Sequence, residues 1–215
     1  KCSSVLLPTI TNIINLSLSE GTFPDHFKHS QVTPLLKKAF ARQGNSLKLP
    51  TNLSSNPSFL SKLAEKIVTA RLVEHLSSHS MLNTHQSAYI KAHSTETVLL
   101  SLHDHLIQRI SQQELTGLCL LDLSAAFDTI DHSILVHRLK TWFGIDGSVL
   151  SWISSYLSSR TFAVSPHGKL SPPTPLAHGV PQGSVLGPLL FILYTTPLST
   201  LISSTSVDHH LYADD

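Results

Sequence analysis

Three aspartates offer the most direct chemistry in this sequence. Asp122 interrupts an apolar run, GLCLLDLS (117–124), and Asp214 and Asp215 stand side by side after HHLYA. A carboxylate inside an apolar strand is costly unless something pairs with it. Asp122 therefore needs an arginine or lysine, a capping role on backbone N–H groups, or a metal. Asp214 and Asp215 repel each other at neutral pH, and no basic residue lies near them in sequence to neutralise the pair. A divalent cation does so directly, and oxygen-only ligands point to Mg²⁺ or Mn²⁺. Two aspartate sites on adjacent strands also suit two-metal phosphoryl transfer, with the ions roughly 3.5–4 Å apart. The plainer alternatives are a solvated turn for the adjacent pair and a helix cap for the single aspartate.

The elements that must carry these acids can be read from periodicity and stop signals. GLCLLDLS is bounded by a glycine and a serine and predicts a buried strand, with Cys119 as a small core residue. The alternation in SVDHHLYADD (206–215) predicts a second strand running into a turn. Between them, DHSILVHRLKTWFG predicts a helix capped by Asp131, buried through Ile134, Leu135, Leu139, Trp142 and Phe143, and stopped by Gly144. SVLSWISSYL predicts a further helix, RTFAVS a strand, and SPPTPLAHG a proline-rich loop. The segment Leu186 to Ile202 is apolar, but Pro188, Pro197 and its hydroxyl residues make it a buried helix rather than a membrane span.

In the first half, Ile10, Ile13, Ile14 and Leu18 predict a helix ended by Gly21 and Pro24, and SQVTPLLKKAF predicts a short strand feeding a basic turn. Residues 41–57 read as loop. Phe59, Leu60, Leu63, Ile67, Leu72 and Leu76 predict the next helix, and Ser94 opens another that runs to about Ser111.

The chain has 215 residues, enough for one sizeable core or two small ones, and 41% of them are hydrophobic, as in ordinary folded proteins. Its formal charge of +1 conceals an asymmetry. Lys28 to Arg71 holds eight basic residues against one acid, a net +7, whereas Gly117 to Asp215 holds four against seven, a net −3. That division fits a protein holding a polyanion with one part and cations with another, or else two solvated faces. The two cysteines form no disulfide framework, and the fourteen histidines complete no zinc pattern. The opening KCSSVLLPTI has neither a Met nor a signal peptide and reads as an excerpt from a longer reading frame.

Taken in order, these segments resemble the catalytic core of a reverse transcriptase from a non-LTR (LINE-type) retrotransposon. LLDLSAAFDTIDHSIL resembles that family's motif A, GVPQGSVLGPLLFILY its motif B, and YADD its motif C. FPDHFKHSQVTPLLKK, FLSKLAEKIV, LNTHQSAYIKAHSTETVLL and WISSYLSSR resemble its other segments, so the likeness covers nearly the whole chain. The resemblance implies an α/β (α+β) right-hand polymerase fold, with fingers in 1–116, a palm in 117–215 and an antiparallel palm sheet packed on helices. It implies that Asp122, Asp214 and Asp215 are catalytic and bind Mg²⁺ or Mn²⁺. Phe127 matches the bulky residue beneath the incoming sugar, which excludes a 2′-hydroxyl by size; a core phenylalanine has the same spacing. Pro181, Gln182 and Gly183 match the motif B turn at the nucleotide, and Lys37, Lys38 and Lys62 would meet triphosphate or template.

The implied partners are an RNA template, a DNA primer and dNTPs, with no membrane, inside the cell in nucleus or cytoplasm. The sequence carries no signal for oligomeric state. Two departures qualify the likeness: Asn52 stands where the family carries an arginine before its FLSK segment, and the strand that returns from motif C, with the thumb beyond it, does not follow Asp215. The expectation is a polymerase site truncated after motif C, with little or no activity as this fragment. The alternative is a non-catalytic nucleic-acid-binding remnant of such an element.

Overall fold

A computed structural model describes residues 3–36, 51–56, 58–123, 125–165, 170–181, 183–205 and 207–213. Four of its helices start at a residue whose side chain caps the first turn. Helix α1 spans Ser3–Ser19, and Gly21, at φ +63°, follows it. Helix α2 (Phe59–Ser78) starts at Ser58, whose side chain accepts from the Ser61 N–H. Helix α3 (Thr95–Ser111) opens with a reciprocal box between Ser94 and Thr97, which satisfies two N-terminal donors at once. Helix α4 (His132–Phe143) is capped by Asp131 and closed by Gly144 in the left-handed region at φ +61°. Helix α5 (Gly147–Leu157) starts at Asp146, and α6 (Gly187–Ser203) carries Pro188 in its first turn, where a missing N–H does no harm. No helix among the described residues is long and apolar enough to cross a membrane.

The sheet is small and mixed. Strand β1 (His29–Leu36) pairs antiparallel with β2 (Thr51–Asn56) and parallel with β3 (Thr161–Val164), and β3 pairs antiparallel with β4 (Thr174–Pro175). The spatial order is β2-β1-β3-β4. Residues 41–57 read as loop from sequence, but Thr51–Asn56 is a strand. TNLSSN is polar and has no strand propensity of its own, so the ladder to β1 imposes its conformation. Asn52 lies opposite Leu35 in that ladder.

The core sits where α4, α5 and α6 meet the end of α1 and one face of α2. Phe23, Trp152 and Tyr156 form its aromatic centre, with Phe23 edge-on to both partners at ring-centroid distances of 5.2 and 5.1 Å. Trp152 Nε1 donates to Ser17 Oγ at 2.9 Å, so the indole is buried without an orphaned donor. The stripe expected on α4 is narrower than predicted: Leu135, Leu139 and Phe143 are buried, whereas Ile134 and Trp142 lie on the solvent side. On α2 the buried face is Ser61, Ala64, Glu65, Val68, Leu72 and Leu76, and Phe59 points outward.

The predicted motif A strand is not formed. Residues 114–123 have no regular structure, Leu118, Leu120, Leu121 and Leu123 are exposed, and Cys119 is an exposed free thiol rather than a core residue. A strand needs a neighbouring ladder to take its N–H and C=O groups. Among the described residues no strand lies beside this segment. The segment leading to motif C is likewise not a regular strand; Leu211 makes a single parallel bridge to Gln86 instead of pairing with 117–123.

Candidate functional site

The second half of motif A and the start of motif B form a joined pair of turns. Residues 125–128 turn sharply, with the Asp128 and Thr129 N–H groups both donating to the Ala125 carbonyl at 2.9 and 3.2 Å. Ala125 takes the left-handed conformation at φ +55°. Against this turn runs the chain before motif B: Gly179 N–H donates to Ile130 O at 2.8 Å, and Val180 N–H to Phe127 O at 2.9 Å. His132 Nε2 lies 2.7 Å from the Gly179 carbonyl, an oxygen that can only accept, so Nε2 carries the proton. The Phe127 ring is half-buried and rests on Phe191 of α6 at 4.8 Å between centroids.

The motif B turn is fixed from beneath. Pro181 is buried and its carbonyl accepts from Ser184 N–H at 3.0 Å; Gly183 is exposed at φ +76°, a conformation that suits glycine. Gln182 lies outside the described residues. Ser184 Oγ accepts from Gly187 N–H at 3.0 Å. Glu65, fully buried on α2, reaches the same place: one carboxylate oxygen accepts from Val185 and Leu186 N–H at 2.7 and 3.3 Å, and the other from Ser61 Oγ at 2.8 Å. A carboxylate on the N–H groups of Val185 and Leu186, at the entry to α6, is favoured by both hydrogen bonding and the helix dipole.

Behind Glu65 lie Tyr156 and Arg160, both buried. Arg160 Nη1 donates to the Tyr156 carbonyl at 2.8 Å, and the guanidinium sits 4.7 Å over the Tyr156 ring. Burial pushes the Arg160 guanidinium down, with the Tyr156 and Glu65 charges acting against it, and pushes the Tyr156 phenol far up.

The acidic residues are less well placed. Asp122 is exposed on the irregular segment, and Asp214 and Asp215 lie outside the described residues. Among the described residues no group of three or more His, Cys, Asp or Glu could hold a metal ion. The chain leading to the pair is nevertheless tied down. Leu211 N–H donates to His85 O at 2.8 Å, Ser87 N–H to Leu211 O at 3.1 Å, and Ala213 N–H to Gln86 Oε1 at 3.2 Å. His209 stacks on His85 at 4.3 Å, and Arg109 of α3 meets Asp208 at 3.5 Å. Of the lysines, Lys62 is half-buried on α2, and Lys37 and Lys38 lie outside the described residues.

Sequence reasoning thus named Phe127, Pro181 and Gly183 in the joined turns but missed the residues that hold them. Glu65 had a signal: it lies on the apolar stripe of α2 with Ala64, Val68 and Leu72, where a charge is out of place. Gly179 had a weaker one, a glycine before Val-Pro, with nothing in sequence to show what approaches it.

A family model described as reverse transcriptase (RNA-dependent DNA polymerase) matches residues 52–215. The chain belongs to that family, and its relatives come from mobile elements of the non-LTR type. It is 31% identical over 186 residues to a probable RNA-directed DNA polymerase from transposon BS of Drosophila melanogaster, covering 86% of this chain and 20% of that protein. To the RNA-directed DNA polymerase from mobile element jockey of the same species it is 30% identical over 208 residues, covering 94% and 22%. With a Pol polyprotein from the type-1 retrotransposable element R2 of Popillia japonica it shares 26% identity over 196 residues, 90% of this chain and 26% of that one. The chain therefore spans about a fifth of the length of the first two of these relatives.

Proposed function

We propose that this chain is the fingers (1–116) and palm (117–215) part of an RNA-directed DNA polymerase of a retrotransposon. The observation that carries the reading is the junction of the motif A and motif B turns, which sets Phe127 beside the Pro181–Gly183 turn in a chain matched by the family model over 52–215. In this reading a primer 3′-hydroxyl attacks the α-phosphate of a dNTP on an RNA template, and pyrophosphate leaves. The protein's part is positioning and charge stabilisation. Phe127 excludes the 2′-hydroxyl, and Pro181, Gln182 and Gly183 bring backbone close to the nucleotide. Lys37, Lys38 and Lys62 face phosphate. Asp122, Asp214 and Asp215 supply carboxylate oxygens, the donor type Mg²⁺ or Mn²⁺ takes. Such an ion would neutralise phosphate charge. Asp122 alone of the three lies among the described residues.

Primer extension on an RNA template with dNTPs and Mg²⁺ tests the reading. DNA synthesis by this chain, or by the chain extended past Asp215 with a hairpin and thumb of the family, that requires template, metal and Asp122 supports it; synthesis unchanged by Asp122→Ala removes Asp122 from the site. The exposed, irregular course of 114–123 favours a second reading, a nucleic-acid binder without catalysis. Binding that weakens with both salt and Mg²⁺, with no extension, would select that reading.

A further inference from the structure

We infer that Gly179 and His132 are positioning residues for Phe127, and that they set how strongly the site selects deoxynucleotides over ribonucleotides. The inference rests on the reading of Phe127 as the residue beneath the sugar. It starts from a close approach that only glycine permits. A Cβ on Gly179 would lie 2.7 Å from the Phe127 carbonyl oxygen, 2.8 Å from Asp128 Cα and 2.9 Å from the Asp128 oxygen. All three are backbone atoms, so no flexible side chain can yield. The φ of +80° at Gly179 is a second reason for glycine.

The contact determines where the Phe127 ring stands. Val180 N–H holds the Phe127 carbonyl, Gly179 N–H holds Ile130 two residues past Asp128, and His132 holds the Gly179 carbonyl from the first turn of α4. The turn is thus held through its carbonyls, and the Phe127 ring is backed by Phe191. To move from 2.7 Å to the ordinary contact range that begins at 3.4 Å, the two backbones must separate by about 0.7 Å. Selection by size depends on the depth of a ring, so a displacement of this order changes it directly, whereas dNTP binding tolerates extra room.

The test is the ratio of dNTP to matching rNTP use. It is measured by single-nucleotide extension and, independently of turnover, by how much each nucleotide stabilises the complex of this chain with an RNA template and DNA primer. Gly179→Ala is expected to lower the ratio on the order of tenfold. His132→Ala, which removes a bond without adding an atom, is expected to lower it in the same direction. In a Phe127→Ala background neither change should lower it further. A loss confined to folding would weaken both nucleotides alike and leave the ratio where it was, and that result overturns the inference. Should Gly179→Ala not fold, His132→Ala decides alone by the same criterion. If the unsubstituted chain shows no dNTP preference, or keeps it in Phe127→Ala, the reading of Phe127 fails and the inference with it; if that reading holds and the positional variants keep the full ratio, the inference alone fails.

Discussion

Replacing Glu65 by alanine should damage this fold more than any exposed carboxylate could. The substitution removes the acceptor from three donors, two of them buried and Val185 half-buried: the Val185 N–H at 2.7 Å, the Leu186 N–H at 3.3 Å and the Ser61 hydroxyl at 2.8 Å. Each orphaned group costs about 1–3 kcal/mol, with Leu186 at the low end because its bond is long. Arg160 also loses a buried carboxylate that favours its charged form. These losses overlap, and removing one partner from a buried charged cluster typically costs about 3–5 kcal/mol, which is the expected magnitude here. Glu65→Gln retains one acceptor oxygen for Val185, and its amide can donate to Ser61 Oγ, so about 1–2 kcal/mol is expected. Glu74→Ala, on the exposed side of the same helix, should stay within ~0.5 kcal/mol of the parent. Urea unfolding measures all three, with the slope checked so that a changed unfolded state is not mistaken for lost stability. A Glu65→Ala protein as stable as Glu74→Ala, at an unchanged slope, would refute the reasoning.

Other outcomes follow from single contacts. Cys119 should react with a thiol reagent in the native protein carrying Cys2→Ser, at a rate close to that in denaturant; reaction only after unfolding would place the segment in a core. Ser17→Ala leaves the buried Trp152 N–H without an acceptor and should destabilise by about 1–3 kcal/mol in the same urea assay, a change below ~0.5 kcal/mol being the contrary result. The Ser133 hydroxyl and the Ile134 N–H hold the Asp131 carboxyl below the usual carboxylate range. A depressed folded value means that its contribution is complete above the unfolded value of about 3.9 and is lost as pH falls through the folded one. Asp131→Asn keeps a capping oxygen without the charge, so its α4 should lose less stability on acidification; identical acid titrations of the two proteins would contradict this.

What was legible in the sequence is what local chemistry decides. The box at Ser94, the Asp131 cap and the Gly144 stop mark helix ends through bonds made within a few residues, and the helices follow them closely. Strand β2 was illegible because its conformation comes from a partner fifteen or more residues away, through the ladder from Gln31↔Asn56 to Leu36↔Thr51. Motif A failed in the opposite sense: GLCLLDLS has the composition of a buried strand, but composition supplies no partner. Within the candidate site, Phe127, Pro181 and Gly183 were visible by resemblance. Gly179 and Glu65, which hold the turns bearing them, become visible only when distant segments are brought together.

The two halves of the site therefore differ in what holds them. The turn bearing Phe127 is secured by hydrogen bonds that Gly179, Val180 and His132 make, and the Glu65 carboxylate accepts from Val185 and Leu186 just past the turn of Pro181 to Ser184; most of these residues are buried. A buried carboxylate at the start of α6 is an unfavourable choice for stability alone, since an apolar residue would avoid its desolvation. Its effect is to specify one geometry for backbone N–H groups that would otherwise have none. The Asp122 segment has the reverse balance: exposed leucines, no ladder, and a carboxylate left in water, where its charge costs little and fixes nothing. In the polymerase reading the groups that judge the shape of the nucleotide are thus built into the fold from the start. In the same reading the Asp122 carboxylate stands apart from those groups, on a segment, 114–123, that has no strand pairing among the described residues.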